Sequence, residues 1–189
     1  MALKQTAERA ALNKLIDYLD EDPVKHVDKI MDLINKLVPD NVFPTQREAF
    51  TNVIKSRGNW YDLIMRAFEL NPEMRTRLLK TLIVDGNILA WPEQEQNRDK
   101  YLCNIPWAIL LDPTSACNLH CTGCWAAEYG HRQNLSFEDI DSIVTQGKAL
   151  GTHMYIYTGG EPLVRKADLI RICEKHPDCA FLCFTNATL

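Results

Sequence analysis

Residues 105–124 read Ile105-Pro-Trp-Ala-Ile-Leu-Leu-Asp-Pro-Thr-Ser-Ala-Cys117-Asn-Leu-His-Cys121-Thr-Gly-Cys124. The run Ile105–Leu111 is short and continuously apolar, the pattern of a strand buried on both faces of a parallel sheet. A loop follows at once, with cysteines spaced C-x3-C-x2-C. In parallel β/α folds the active site gathers at the C-terminal ends of the strands. The spacing therefore places three thiols where such folds do chemistry. Three thiolates this close can wrap one metal centre. Structural zinc takes a fourth ligand, and iron–sulfur clusters usually take four cysteines. A cubane held by three keeps one iron open.

Downstream, the alternation continues. Ser136-Phe-Glu-Asp139 starts a helix that carries Ile140, Ile143, Val144 and Leu150 and ends at Gly151. Met154–Tyr157 is a second strand, Ala167–Glu174 a short helix, and Ala180–Phe184 a third strand. Strands alternating with helices imply right-handed crossovers and a parallel sheet. Gly159-Gly160-Glu161-Pro162 follows the second strand, on the same sheet edge as the cysteine loop. Its glycines let the backbone approach a ligand closely.

Upstream, the pattern is helical. Leu12, Leu15, Ile16 and Leu19 form one stripe, and Val24, Val27, Ile30, Met31, Ile34 and Leu37 a second. Asp22-Pro23 and Asn71-Pro72 read as caps, and Thr45–Glu48 as a capping box. The last of these helices, with Leu78, Leu79, Leu82 and Ile83, is expected to stop at Gly86. The polar stretch Pro92–Lys100 is the expected linker, giving a helical domain over 1–100 and a second domain over 101–189.

Apolar residues make up 46% of the 189 and charged residues 24%, which excludes wholesale disorder. Lysine and arginine total 21 against 25 acids, a net charge of −4, so no basic footprint invites nucleic acid. No apolar run approaches the about 20 residues of a membrane span, and the N-terminus lacks a signal's apolar core. A cytoplasmic protein is expected. Its seven cysteines, an odd number and none before Cys103, suit reduced thiols or metal ligands better than a disulfide scaffold.

Together, the cysteine loop and Gly159–Pro162 resemble the signatures of the radical S-adenosylmethionine (SAM) superfamily. The resemblance spans about residues 105–189. It implies an α/β fold in which a helical N-terminal domain precedes the first three β/α units of a partial TIM-like barrel, truncated after residue 189. It further implies that Cys117, Cys121 and Cys124 hold a [4Fe–4S] cluster and that SAM chelates the open iron. The Gly159, Gly160, Glu161 and Pro162 turn then hydrogen-bonds the methionyl amine. The activity implied is reductive cleavage of SAM to a 5′-deoxyadenosyl radical that abstracts hydrogen from a substrate, with an electron donor such as flavodoxin or ferredoxin. The substrate, a small molecule or peptide, is not legible, and no catalytic residue is assigned. Turnover by these 189 residues alone is expected to be negligible.

The family usually has an aromatic residue before the third cysteine, where this chain has Gly123. Trp125 is the candidate to cover the adenine instead. Thr185–Leu189 resembles the family's T-N-G-T-L stretch, with Ala187 for glycine, which turns Asn186 toward the cofactor or substrate pocket. A side chain at Gly160 is expected to hinder SAM and spare the cluster. Cys173, Cys179 and Cys183 read as packing, and Cys103 precedes the first strand, at its wrong end. His131 and Arg132 are candidates for a substrate or SAM carboxylate. The competing reading is a non-catalytic zinc- or cluster-binding interaction module, with His120 as a possible zinc ligand.

Overall fold

The computed structural model describes residues 2–38, 40, 42–130 and 132–189. The chain separates into two compact units, Met1–Lys80 and Thr81–Leu189.

Helices α1 (Ala2–Glu21), α2 (Pro23–Leu37), α3 (Pro44–Ser56), α4 (Asn59–Arg66) and α5 (Pro72–Leu79) build the first unit. Asp22 caps α2 by accepting the Lys25 N–H at 3.2 Å, and Asn71 caps α5 by accepting those of Glu73 and Met74. The box expected at Thr45–Glu48 does not cap α3. Pro44 takes the first helical position, so Thr45 already lies inside the helix. Val27, Ile54 and Tyr61 form the core, with Leu19, Met31, Ile64 and Met65 around them. Val24 and Leu37, in the second stripe, are exposed at the two ends of α2. Arg75 joins α5 to α1 through Nε (2.5 Å) and Nη2 (2.9 Å) to the Asp20 carboxylate. That guanidinium holds the Asp20 carboxyl below its ordinary range.

A π-helical stretch, Lys80–Leu89, runs through Gly86, where a stop was expected. One glycine costs a helix only about 1 kcal/mol and does not end it. The expected linker, Pro92–Lys100, is helical too and lies within α6 (Ala90–Tyr101). Its glutamates, glutamines, arginine and lysine are polar but good helix formers. Buried Gln94 donates to the Gly151 carbonyl at 2.6 Å, and Asn97 to that of Ala149 at 3.3 Å. These bonds make α6 part of the second unit. The division therefore falls after Lys80 rather than at residue 100.

Strands β1 (Ala108–Leu111), β2 (Met154–Tyr157) and β3 (Ala180–Cys183) form a parallel sheet in sequence order, with Leu111, Tyr157 and Cys183 in one row. Pairing starts at Ala108 rather than Ile105, because Pro106 has no N–H to give a ladder. Helices α7 (Phe137–Ala149) and α8 (Lys166–Lys175) provide the crossovers. The capping box at Ser136 and Asp139 starts α7 as expected, and Gly151 turns the chain out at φ +92°. Leu111, Ile140, Val144, Tyr155, Tyr157, Leu169, Ile172 and Cys179 form the core between sheet and helices. The other face is open among the described residues: Leu110 is 59% and Leu182 45% exposed. Burial of β1 on both faces is thus not found.

Two tyrosines in this core, Tyr155 and Tyr157, each stack on Phe181 but differ in one respect. The Tyr155 hydroxyl lies 3.0 Å from the Val144 carbonyl and 2.9 Å from that of Thr152. The buried Tyr157 hydroxyl has no hydrogen-bond partner among the described residues. Tyr155→Phe should cost about 1–2 kcal/mol and Tyr157→Phe less than about 0.5 kcal/mol, because only the first loses a bond. Denaturant midpoints compare the two directly, and equal losses would count against the distinction.

Candidate functional site

Beyond β1 the chain continues in a stem that closes the cysteine loop. Ser115 N–H donates to the Gln133 carbonyl at 2.8 Å and Leu135 N–H to that of Pro113 at 3.1 Å. Thr114, fully buried, donates its hydroxyl to Asn134 Oδ1 at 2.5 Å and accepts the Ala116 N–H at 2.9 Å. Arg165, paired with Asp168, reaches the Leu135 carbonyl at 2.7 Å. The base of the loop is therefore fixed from both sides.

None of the seven cysteines is in a disulfide. On the loop, Cys117 and Cys124 are partly buried and Cys121 is exposed. The Leu119 N–H points at the Cys117 sulfur at 3.4 Å, and a tight turn joins Cys124 N–H to the Cys121 carbonyl at 3.2 Å. Gly123, inside this turn, has φ +75°. An aromatic residue there would be strained, which gives the departure at this position a physical reason. Trp125 follows on a short 3-10 turn. It is 57% exposed, not packed in the core, and meets Tyr129 edge-on at 5.7 Å.

The Gly159–Pro162 turn is bonded directly to the stem of the cysteine loop. Gly160 N–H donates to the Thr114 carbonyl at 2.9 Å and Glu161 N–H to the Ala116 carbonyl at 2.8 Å. A Cβ on Gly160 would sit 2.6 Å from the Ser115 carbonyl oxygen and closer still to that of Ala116. Gly159 adds a left-handed φ of +99°. With the Gly160 and Glu161 N–H groups committed to the loop stem, what those two residues have left to offer a ligand is carbonyl oxygen. That polarity suits an ammonium group.

The Glu161 side chain points into the protein and is 1% exposed. Oε1 accepts the Leu163 N–H (2.9 Å) and the Thr185 hydroxyl (2.7 Å), and Oε2 accepts the Asn186 N–H (2.8 Å). Burial works to raise its pKa, but the Asn186 and Leu163 N–H groups and the Thr185 hydroxyl outweigh it and hold the carboxyl below its ordinary value. Asn186 in turn donates its side-chain amide to Asn118 Oδ1 at 3.0 Å. The sheet edge thus brings together the cysteine loop, the Gly159–Pro162 turn and the stretch after β3.

The other candidates stand as follows. Cys179 is buried in the core, which pushes its thiol up to about 12, and burial also raises that of Cys183. Cys173 is partly buried on α8, and Cys103 is exposed ahead of β1. His120 and Arg132 are exposed, and His131 lies outside the described residues. Asn118, Arg165 and Asn134 carried no sequence signal, because each is an ordinary polar residue with a partner remote along the chain.

The donor set fits an iron–sulfur cluster by its chemistry: three cysteines outside the core on one loop, with a backbone N–H aimed at one sulfur. Among the described residues, no three histidine, cysteine or acidic side chains yet converge on a metal-sized point. No helix among the described residues is long and apolar enough to cross a membrane.

The family model of the radical SAM superfamily matches residues 111–189. A GTP 3′,8-cyclase of Geobacter sulfurreducens is 43% identical over 62 residues, 31% of this chain and 19% of that protein. A GTP 3′,8-cyclase of Pseudomonas syringae pv. syringae is 40% identical over 84 residues, 41% of this chain and 25% of that protein. An uncharacterized protein of Archaeoglobus fulgidus is 33% identical over 98 residues, 51% of this chain and 23% of that protein. The chain thus spans a quarter or less of the length of these relatives. No solved structure matches it. The matched segment contains the cysteine loop, the Gly159–Pro162 turn and the parallel sheet that joins them, and it is this segment of the chain that matches the radical SAM superfamily.

Proposed function

We propose that residues 111–189 form the cofactor end of a radical SAM enzyme. Cys117, Cys121 and Cys124 hold a [4Fe–4S] cluster, and the Gly159–Pro162 turn receives the methionyl amine of SAM through backbone carbonyls. When bound, this pair of cofactors supplies a 5′-deoxyadenosyl radical by one-electron reduction from a donor such as flavodoxin or ferredoxin. Trp125, exposed beside the third cysteine, covers the adenine. Glu161 contributes through its backbone, since its carboxylate is committed to protein donors. The observation that carries this reading is the pair of bonds from Gly160 and Glu161 to Thr114 and Ala116, which seats the two motifs side by side.

The substrate in the name of the matched GTP 3′,8-cyclases is not carried over to this chain. The shared segment is the part that holds cofactors, so GTP is not assigned here. Anaerobic reconstitution of the chain should give a brown protein with about four irons and thiolate-to-iron absorption. Adding SAM should change the electron paramagnetic resonance spectrum of the reduced cluster. A colourless protein that takes up one zinc ion in place of iron would instead support the interaction-module reading.

A further inference from the structure

We propose that Glu161 and Asn186 are positioning residues that lock the 185–188 stretch to the Gly159–Pro162 turn on one side and to the cysteine loop on the other. The inference rests on the reading of these as cofactor loops. Glu161, whose carboxylate is bonded to the 185–188 stretch, thereby helps hold the loop that carries all three cysteines.

A buried carboxylate is costly unless donors compensate it. Glu161 has three, from Leu163, Thr185 and Asn186, at 2.7–2.9 Å. An ionised carboxylate only accepts, so it can take all three, and bonds to it are stronger than neutral ones. A glutamine would turn an NH2 group toward at least one donor. The grip matters because of what Asn186 does next. Its Nδ2 donates to Asn118 Oδ1 at 3.0 Å, and its Oδ1 accepts from the Thr188 N–H (3.1 Å) and hydroxyl (2.7 Å). Asn118 Nδ2 returns a bond to the Thr188 hydroxyl at 2.8 Å.

Both ends of the Asn118 amide are therefore held by a stretch some 70 residues away, and Asn118 is the residue directly after Cys117. Between these bonds Ala187 keeps a left-handed φ of +56°, a conformation that costs an L-residue roughly 1–2 kcal/mol. Its N–H is held by the Thr185 hydroxyl at 2.9 Å, the same hydroxyl that donates to Glu161. The bonds thus run without a break from the Glu161 carboxylate to the residue beside Cys117. Partners of this kind, behind the ligands themselves, typically change metal affinity about 10–100-fold.

Hydrogen exchange on the iron-free chain tests the coupling directly. Glu161→Gln should speed exchange about tenfold at 186–188, where its carboxylate accepts the Asn186 N–H, and also at 117–124, which it reaches through Asn186 and Asn118, while α7 stays protected. Asn118→Ala should speed exchange at 186–188. The double variant should exchange at 117–124 no faster than the faster single one, because both act through Asn186. After reconstitution, both single variants should lose iron to a chelator about tenfold faster than the parent. Unchanged exchange at 117–124 in Glu161→Gln, with α7 intact, overturns the proposal. If that variant loses α7 protection as well, Thr185→Val and Asn118→Ala decide in its place, and parental exchange in the untouched loop of each overturns it equally. A parent chain that takes up no iron would sink the cofactor reading, while the exchange result still decides the coupling.

Discussion

Cys117→Ala, Cys121→Ala and Cys124→Ala should each remove most of the iron from the reconstituted protein, rather than a third of it. One cubane shared among three thiolates is lost as a unit, and the loop offers no fourth cysteine to replace a missing ligand. The neighbouring cysteines make the comparison sharp. Burial raises the pKa of the Cys179 and Cys183 thiols, the first buried and the second partly so, and a thiol kept protonated is a poor metal ligand. Cys183→Ala should keep full iron. Cys179→Ala should also keep it, at a stability cost of about 1–2 kcal/mol for the small cavity it leaves. Iron and acid-labile sulfide per chain are the measurements. Full iron in Cys117→Ala together with its loss in Cys183→Ala would put the ligands elsewhere.

The second large effect belongs to Gly160. Read from sequence, a side chain there hinders SAM and spares the cluster. The structure changes that expectation, because the space a Cβ would need is filled by the carbonyls of Ser115 and Ala116, directly before Cys117. Gly160→Val must push the stem of the cysteine loop away and break the bonds from Gly160 to Thr114 and from Glu161 to Ala116. The expected result is loss of iron retention together with the SAM response, and a drop in stability of about 3 kcal/mol or more. Gly123→Ala is the control within the loop. Nothing lies within 4 Å of a Cβ there, so it should cost only the roughly 1–2 kcal/mol of its left-handed backbone and still take up iron. A Gly160→Val protein with parental iron and stability, but weak SAM binding, would restore the simpler reading.

Much of the sheet unit was legible along the chain. Met154–Tyr157 alternates with the helices around it, the Ser136–Asp139 box caps its helix, and Gly151 ends it, all through interactions a few residues long. The cysteine spacing and Gly159–Pro162 are likewise local, and their order on successive strands put them on one edge. Boundaries were read less well where composition misled. Pro92–Lys100 is polar enough to look like a linker, yet polar straight-chain residues are good helix formers, and buried Gln94 ties that helix to Gly151. The capping box at Thr45 lost to the proline before it.

The roles of Gly160, Glu161, Asn118 and Asn186 were decided only by the tertiary structure. Each depends on a partner brought near by the sheet: a carbonyl of the cysteine stem for Gly160, the 185–188 stretch for Glu161, and each other for Asn118 and Asn186. A sequence records which groups can donate and accept, and periodicity records which face of an element is apolar. Neither records which remote backbone fills the space beside a glycine, or which donors a buried carboxylate meets. Those follow from the parallel register of three strands, which delivers three loops to one edge and leaves their polar groups to satisfy one another.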